Sequence, residues 1–163
     1  MENSKLKLSS DLPYPEIDEV EQPTEAKKLM NDYAGRGGEY TAIAQYIFQS
    51  FIKYDDAEIS NTLRRIAMVE MHHLSYLGTA IAKLGGYPVF GGVNYPWNGT
   101  FVNYAGDPSR LLLLDIKTEE EAIYNYEKTL LVLKNEQVKR LIERIILDEE
   151  IHIKVLTSLL DRL

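Results

Sequence analysis

One pattern constrains this chain more than any other: two stretches repeat each other in residue type and spacing. Glu39-x-x-Ala42-Ile43-x-x-Tyr46 recurs as Glu119-x-x-Ala122-Ile123-x-x-Tyr126. Further on, Arg65-Ile66-x-x-x-Glu70-x-x-His73 recurs as Arg144-Ile145-x-x-x-Glu149-x-x-His152. The intervals agree as well, 31 residues from Glu39 to Glu70 and 30 from Glu119 to Glu149. Charged and apolar positions matched over such a distance point to duplicated structural units.

The units read as helical hairpins. Leu29, Met30, Tyr33, Tyr40, Ile43, Tyr46, Ile47 and Tyr54 recur at helical spacings and predict a first helix from Thr24. Asp55-Asp56 offers a cap for a second, whose stripe is Ile59, Leu63, Ile66, Glu70, His73, Leu77, Ile81 and Leu84, stopped by Gly85-Gly86. Asp107-Pro108 starts a third, with Leu112, Ile116, Glu119, Ala122, Ile123, Tyr126, Leu130 and Leu133 on one face. Asn135 caps a fourth, which carries Val138, Leu141, Ile142, Ile145, Glu149, His152, Leu156 and Leu159. Short links within each pair force antiparallel hairpins. The long aromatic loop over 85–106 can travel the length of the bundle between them, so the expected fold is an all-α four-helix bundle with one crossover. Ahead of it, residues 1–23 carry Pro13, Pro15 and Pro23 and read as an extended arm, leaving 24–163 as the bundle domain.

Gly35, Gly37 and Gly38 fall inside the first predicted helix at about 1 kcal/mol each relative to alanine. Either the backbone there makes a close approach next to a functional position, or the helix begins near Gly38. A phosphate loop is a poor match, because no Gly-Lys-Ser/Thr ending follows and Glu39 does.

In an antiparallel hairpin two residues share a height when their midpoint falls at the turn. The midpoint of 39 and 70 is 54.5, beside Asp55-Asp56, and that of 119 and 149 is 134, beside Asn135. Each hairpin therefore sets one lone Glu opposite one Glu-x-x-His pair, with both side chains of that pair on one helix face. Four carboxylates and two imidazoles would meet in one core layer: Glu39, Glu70, His73, Glu119, Glu149 and His152. Crowded buried carboxylates are untenable alone, and two divalent cations would balance four of them. Tyr46 and Tyr126 follow Glu39 and Glu119 by two turns and are candidates to hydrogen-bond those carboxylates, with plain aromatic core filling equally open. His72, rotated about 100° from His73, is not expected to join the set.

Composition narrows the chemistry. The 163 residues contain no cysteine, so thiolate metal sites, disulfides and cysteine nucleophiles are excluded and any metal must use carboxylate and imidazole. A net charge of −7, from 18 basic and 25 acidic residues, argues against a nucleic-acid or anionic-membrane partner. No apolar run approaches the ~20 residues of a membrane span, and Met1 to Leu12 is too polar for a signal peptide. A cytoplasmic location is expected.

A Glu from each of two helices with Glu-x-x-His from each of the other two resembles the ligand set of the di-iron and di-manganese carboxylate bundles. With those residues in place, the chain resembles a ferritin-like protein of the rubrerythrin and manganese-catalase kind over roughly residues 24–160. Asp32 to Ala42 is similar to the first-helix segment of manganese catalases and related spore-coat proteins, and Asp148-Glu149-Glu150-Ile151-His152 to the fourth-helix signature of the same group. The resemblance implies that Glu70 and Glu149 bridge two Fe or Mn ions, that Glu39 and Glu119 are terminal ligands, and that His73 and His152 bind one ion each. It implies an oxidoreductase acting on hydrogen peroxide or dioxygen, with peroxide detoxification favoured, and a homodimer. The cysteine-rich electron-delivering domain usual in rubrerythrins is missing, so a peroxidase would need an external electron donor. The alternatives are a metal-binding structural or coat-associated scaffold, with the loop aromatics as its partner surface, and a ferroxidase without a storage cage.

Overall fold

The computed structural model describes residues 6–163. Its helices are α1 (Pro23–Ala34), α2 (Glu39–Ile52), α3 (Ala57–Lys83), α4 (Pro108–Val132) and α5 (Glu136–Leu160). The expected boundary signals operate. Asp56 accepts from the backbone N–H of Ile59, Asp107 from that of Arg110, and Asn135 from those of Gln137 and Val138. Gly85, with φ +80, follows the C-terminus of α3 in the left-handed conformation that favours glycine.

The first expected helix is in fact two. The helical path stops at Ala34 and resumes at Glu39, and Gly35 and Gly38 both have extended backbone. A Cβ on Gly38 would stand 2.5 Å from the Asn31 carbonyl oxygen and 2.7 Å from that of Asp32, and one on Gly35 would stand 2.6 Å from the former. The two glycines permit a backbone approach that no side chain allows. Tyr54, expected on the buried stripe, is 81% exposed, because α2 ends at Ile52 before its period reaches that residue.

The apolar core is split in two. One cluster holds Leu29, Tyr33, Leu77, Ile81, Leu141 and Ile145; the other holds Tyr46, Leu63, Ile66, Leu111, Leu112 and Leu156. Along α3 and α5 the split falls at Glu70–His73 and at Glu149–His152, so a polar layer crosses the bundle between two apolar ends.

The crossover is more ordered than its composition suggests. It contains a minimal antiparallel hairpin, β1 (Gly91–Gly92) with β2 (Tyr95–Pro96), and a 3-10 turn over Gly99–Phe101. It is stitched over the α1–α2 break. Asn31 Oδ1 accepts from the Val93 N–H at 2.9 Å, the Trp97 indole donates to Thr41 Oγ1 at 3.0 Å, and Phe90 stacks on Tyr40 and Tyr33. Trp97 and Phe101 are half-buried, whereas Tyr87 and Tyr104 stay exposed, so the loop is in part a cover and in part free surface. Residues 6–22 form no helix and lie against the bundle, with Leu8 and Ile17 buried in its two core clusters. No helix among the described residues is long and apolar enough to cross a membrane.

Candidate metal centre

Because α2, α3, α4 and α5 each place one carboxylate at mid-height, the six residues expected from the repeat come together. Glu39, Glu70, Glu119 and Glu149 are at most 4% exposed, and His73 and His152 are fully buried. They form two overlapping groups, Glu39–Glu70–His73–Glu149 and Glu70–Glu119–Glu149–His152, each able to bring four ligand atoms within 4.8 Å of one another. Glu70 and Glu149 belong to both. His72, Glu120 and Glu121 point to solvent and stay outside.

Both imidazoles turn the same nitrogen inward. His73 Nδ1 lies 2.8 Å from Glu70 Oε2, 3.1 Å from Glu149 Oε1 and 3.5 Å from Glu39 Oε2. His152 Nδ1 lies 3.0 Å from Glu70 Oε1, 3.2 Å from Glu149 Oε2 and 3.6 Å from Glu119 Oε1. The outward Nε2 atoms meet Asp148 Oδ2 and the Leu8 carbonyl oxygen, each at 3.0 Å. A carbonyl only accepts, so Nε2 of His152 carries a hydrogen, and in the neutral imidazole Nδ1 would present its lone pair to the cluster. Glu70 Oε1 and Glu149 Oε1 are buried and accept no hydrogen bond. Buried acceptors are ordinarily satisfied, and two orphaned carboxylate oxygens aimed at inward imidazole nitrogens fit a pair of cations.

Without cations the layer must hold protons. Burial, then the charge of a neighbouring carboxylate, pushes Glu39 and Glu119 well above the usual carboxylate range. Burial alone would lower the two imidazoles, but Glu39 beside His73 and Glu70 beside His152 raise both well above the usual value. Metal ligation needs deprotonated carboxylates and neutral imidazoles, so cations would displace these protons.

The tyrosines hydrogen-bond crosswise. The Tyr46 hydroxyl donates to Glu119 and the Tyr126 hydroxyl to Glu39, each linking one repeat unit to the carboxylate of the other. Burial and the accepting carboxylate keep both phenols neutral, pushed well above their ordinary pKa. The two arginines of the repeat diverge: Arg65 is exposed, whereas Arg144 is buried against Asp148 at 2.7 Å.

Three groups beside the layer were not legible as site residues. Asp148, next to Glu149, is fully buried and receives His73; its spacing of four from Arg144 was the available signal. Asp32 is buried with one hydrogen bond, from Thr129 at 2.6 Å, and burial raises its carboxyl to about 6. Asp115 is buried under the side-chain amides of Gln45 and Gln49, at 2.8 and 2.9 Å, and burial raises it to about 7. A cavity of about 10 Å³, room for about one water, adjoins Glu39, Glu70, Glu119 and Glu149. It shares Asp32, Gly37 and Gly38 with an outer cleft of about 560 Å³ that Arg36, Glu121 and Lys128 also line. The α1–α2 break thus stands where the cleft meets the cavity.

A bundle with one crossover, a mid-height layer of four carboxylates and two imidazoles, and two overlapping ligand groups define a ferritin-like dinuclear carboxylate protein. The family of manganese containing catalases matches residues 7–92, more than half of the chain, and the chain belongs to it. A probable manganese catalase of Clostridium acetobutylicum is 26% identical over 160 residues, covering 82% of this chain and 69% of its own. KatB, a manganese catalase from Anabaena, superposes with a TM-score of 0.85 at 25% identity, over 94% of this chain and 78% of its own. The bacterioferritin of Rhodobacter capsulatus shares the fold, with a TM-score of 0.73 at 22% identity over 88% of either chain. The protein is accordingly a catalase-like oxidoreductase with a dinuclear centre of iron or manganese.

Proposed function

We propose that the protein disproportionates hydrogen peroxide to water and dioxygen at a pair of manganese ions. One ion would be held by Glu39 and His73 and the other by Glu119 and His152, with Glu70 and Glu149 serving both. The observation that carries this reading is the sharing of Glu70 and Glu149 between two four-residue groups with both Nδ1 atoms inward. Family membership and the manganese catalases among its relatives support manganese and peroxide. When bound, a pair of redox-active ions supplies the two electrons that one peroxide takes up and a second returns, so no external donor is consumed.

The chain's own residues supply the setting. Four carboxylates neutralise the charge of two divalent ions. Tyr46 and Tyr126 hold Glu119 and Glu39 in place through neutral hydroxyls. The cavity has room for no more than about one water, so an organic substrate is shut out of the layer. Asp32 lines both this cavity and the outer cleft and accepts from Thr129 of the cleft, and its carboxyl, raised to about 6, can hold or release a proton near neutral pH.

The test is oxygen evolution from hydrogen peroxide without added reductant, on protein carrying about two Mn per chain. Oxygen at half the peroxide consumed supports the reading. Turnover that requires an electron donor, or a chain that takes up Fe(II) and oxidises it with O₂ while leaving peroxide intact, would refute it. The second outcome would favour a ferroxidase; the Desulfovibrio desulfuricans bacterioferritin, 27% identical, holds a diiron site.

A further inference from the structure

The two imidazoles are alike on the inward side and different on the outward side. His73, on α3, meets Asp148 of α5. The repeat that pairs Glu70 with Glu149 and His73 with His152 pairs position 69 with 148, so the matching partner for His152, on α5, would come from position 69 of α3. That residue is Val69, which has no acceptor. In its place the Leu8 carbonyl of the N-terminal arm stands 3.0 Å from His152 Nε2.

The arm also holds the other partner. Ser9 Oγ, the Ser10 N–H and the Tyr14 hydroxyl all donate to the Asp148 carboxylate, the first two at 3.1 and 2.6 Å. Arg144 is locked between the same groups. Its Nη1 donates to Asp148 at 2.7 Å, its Nε to the Leu12 carbonyl at 2.6 Å and its Nη2 to the Ser10 carbonyl at 2.9 Å, with the guanidinium 4.2 Å from the Tyr14 ring centre. Leu8 anchors the segment in the core beside Ile66 and Leu156, at 6% exposure. One single-copy segment therefore reaches the outward nitrogen of both histidines, directly at His152 and through Asp148 at His73.

We propose that residues 8–14 of the N-terminal arm are positioning residues of the metal centre: they keep the hydrogen of each imidazole on Nε2 and its Nδ1 lone pair on the cations, and so set how tightly the cations are held. The inference rests on the reading of the six-residue layer as a metal site. Groups that orient a metal-bound imidazole typically change affinity by about 10–100-fold when removed. Coupling of this kind is reciprocal: an arm that tightens cation binding is itself tightened by the cations.

Two measurements test it. Equilibrium dialysis against Mn(II), read by elemental analysis, compares the full chain with a variant lacking residues 1–12 and with Tyr14→Phe. The truncation is expected to weaken Mn(II) binding by about 10–100-fold and Tyr14→Phe by less. Amide hydrogen exchange on the full chain, with and without Mn(II), is expected to show slower exchange over residues 8–14 in the loaded form. The inference is overturned if the folded truncation binds two Mn(II) as tightly as the full chain. It is equally overturned if exchange in the arm is indifferent to Mn(II) that the full chain demonstrably binds, a result that decides the matter even where the truncation fails to fold. A full chain that binds no Mn(II) would refute the metal reading itself, a different outcome from either.

Discussion

Loading the centre with Mn(II) is expected to raise the unfolding temperature by roughly 16 °C. A ligand present at about 100 times its Kd stabilises the folded state by about 2.7 kcal/mol, so two independent ions contribute roughly 5.4 kcal/mol if the unfolded chain binds neither. For 163 residues an unfolding entropy of about 2.1 cal/mol/K per residue gives roughly 340 cal/mol/K, and the quotient is the stated shift. The assay is a thermal melt by circular dichroism on chelator-stripped protein, with and without Mn(II), with Mg(II) as the control for general ionic effects. The shift should shrink as the solution is acidified, because cations must displace the protons that burial drives onto Glu39 and Glu119. A melt unmoved by Mn(II), or moved equally by Mg(II), would refute the argument that the buried layer exists to hold redox-active cations.

Tyr46→Phe should loosen the half of the centre built on Glu119 and Tyr126→Phe the half built on Glu39, each lowering Mn(II) affinity by about 10–100-fold; unchanged binding isotherms would leave both tyrosines as core filling. Asp115 keeps its proton to about pH 7 in the folded chain against a usual 3.8. Its folded form therefore binds the extra proton between those values, and the stability it contributes is present below 3.8 and lost as pH rises through 7. Asp115→Asn should thus gain stability relative to the native chain with rising pH, by on the order of 4 kcal/mol at the limit, checked by denaturant melts at acid and alkaline pH; a constant difference would count against it. Gly38→Ala should destabilise by roughly 1–3 kcal/mol, since its Cβ meets two backbone carbonyls, whereas Gly37→Ala meets only an amide nitrogen at 3.5 Å and should be nearly silent. Comparable melting temperatures for the two would contradict that account.

What was legible in the sequence was whatever is local or duplicated. Caps at Asp56, Asp107 and Asn135 announce helices because their chemistry is settled within four residues. The layer of Glu39, Glu70, His73, Glu119, Glu149 and His152 was legible because helical spacing and the midpoint rule convert positions into heights, and the repeat states the answer twice. Three glycines in one turn signalled a disturbance, yet the choice between a late start and a break depended on the crossover that packs over it. That packing pairs Asn31 with Val93 and Thr41 with Trp97, partners more than fifty residues apart in the chain. Duplication does not extend to the environment of the arginines: Arg65 and Arg144 match in sequence, yet Arg65 stays exposed and gives the arm one hydrogen bond, to the Leu6 carbonyl, whereas Arg144 is buried between Asp148 and the Ser10 and Leu12 carbonyls.

That asymmetry bears on how the centre is built. A duplicated hairpin supplies symmetric ligands, and the inward faces of His73 and His152 keep the symmetry to within a few tenths of an ångström. An arm present once cannot serve two equivalent positions equally, so it divides its work. It gives a backbone carbonyl to His152, where Val69 offers nothing, and three donors to Asp148, which serves His73. A charged acceptor stabilises a donating imidazole more than a neutral carbonyl does, making His73 the more basic ligand of the two. The two metal positions should therefore differ in affinity, with the position served by His73 filling first in a stepwise Mn(II) titration. Equal occupancy of both at every point of the titration, read by the magnetic coupling signature of the pair against that of the lone ion, would show that the outward partners do not distinguish them.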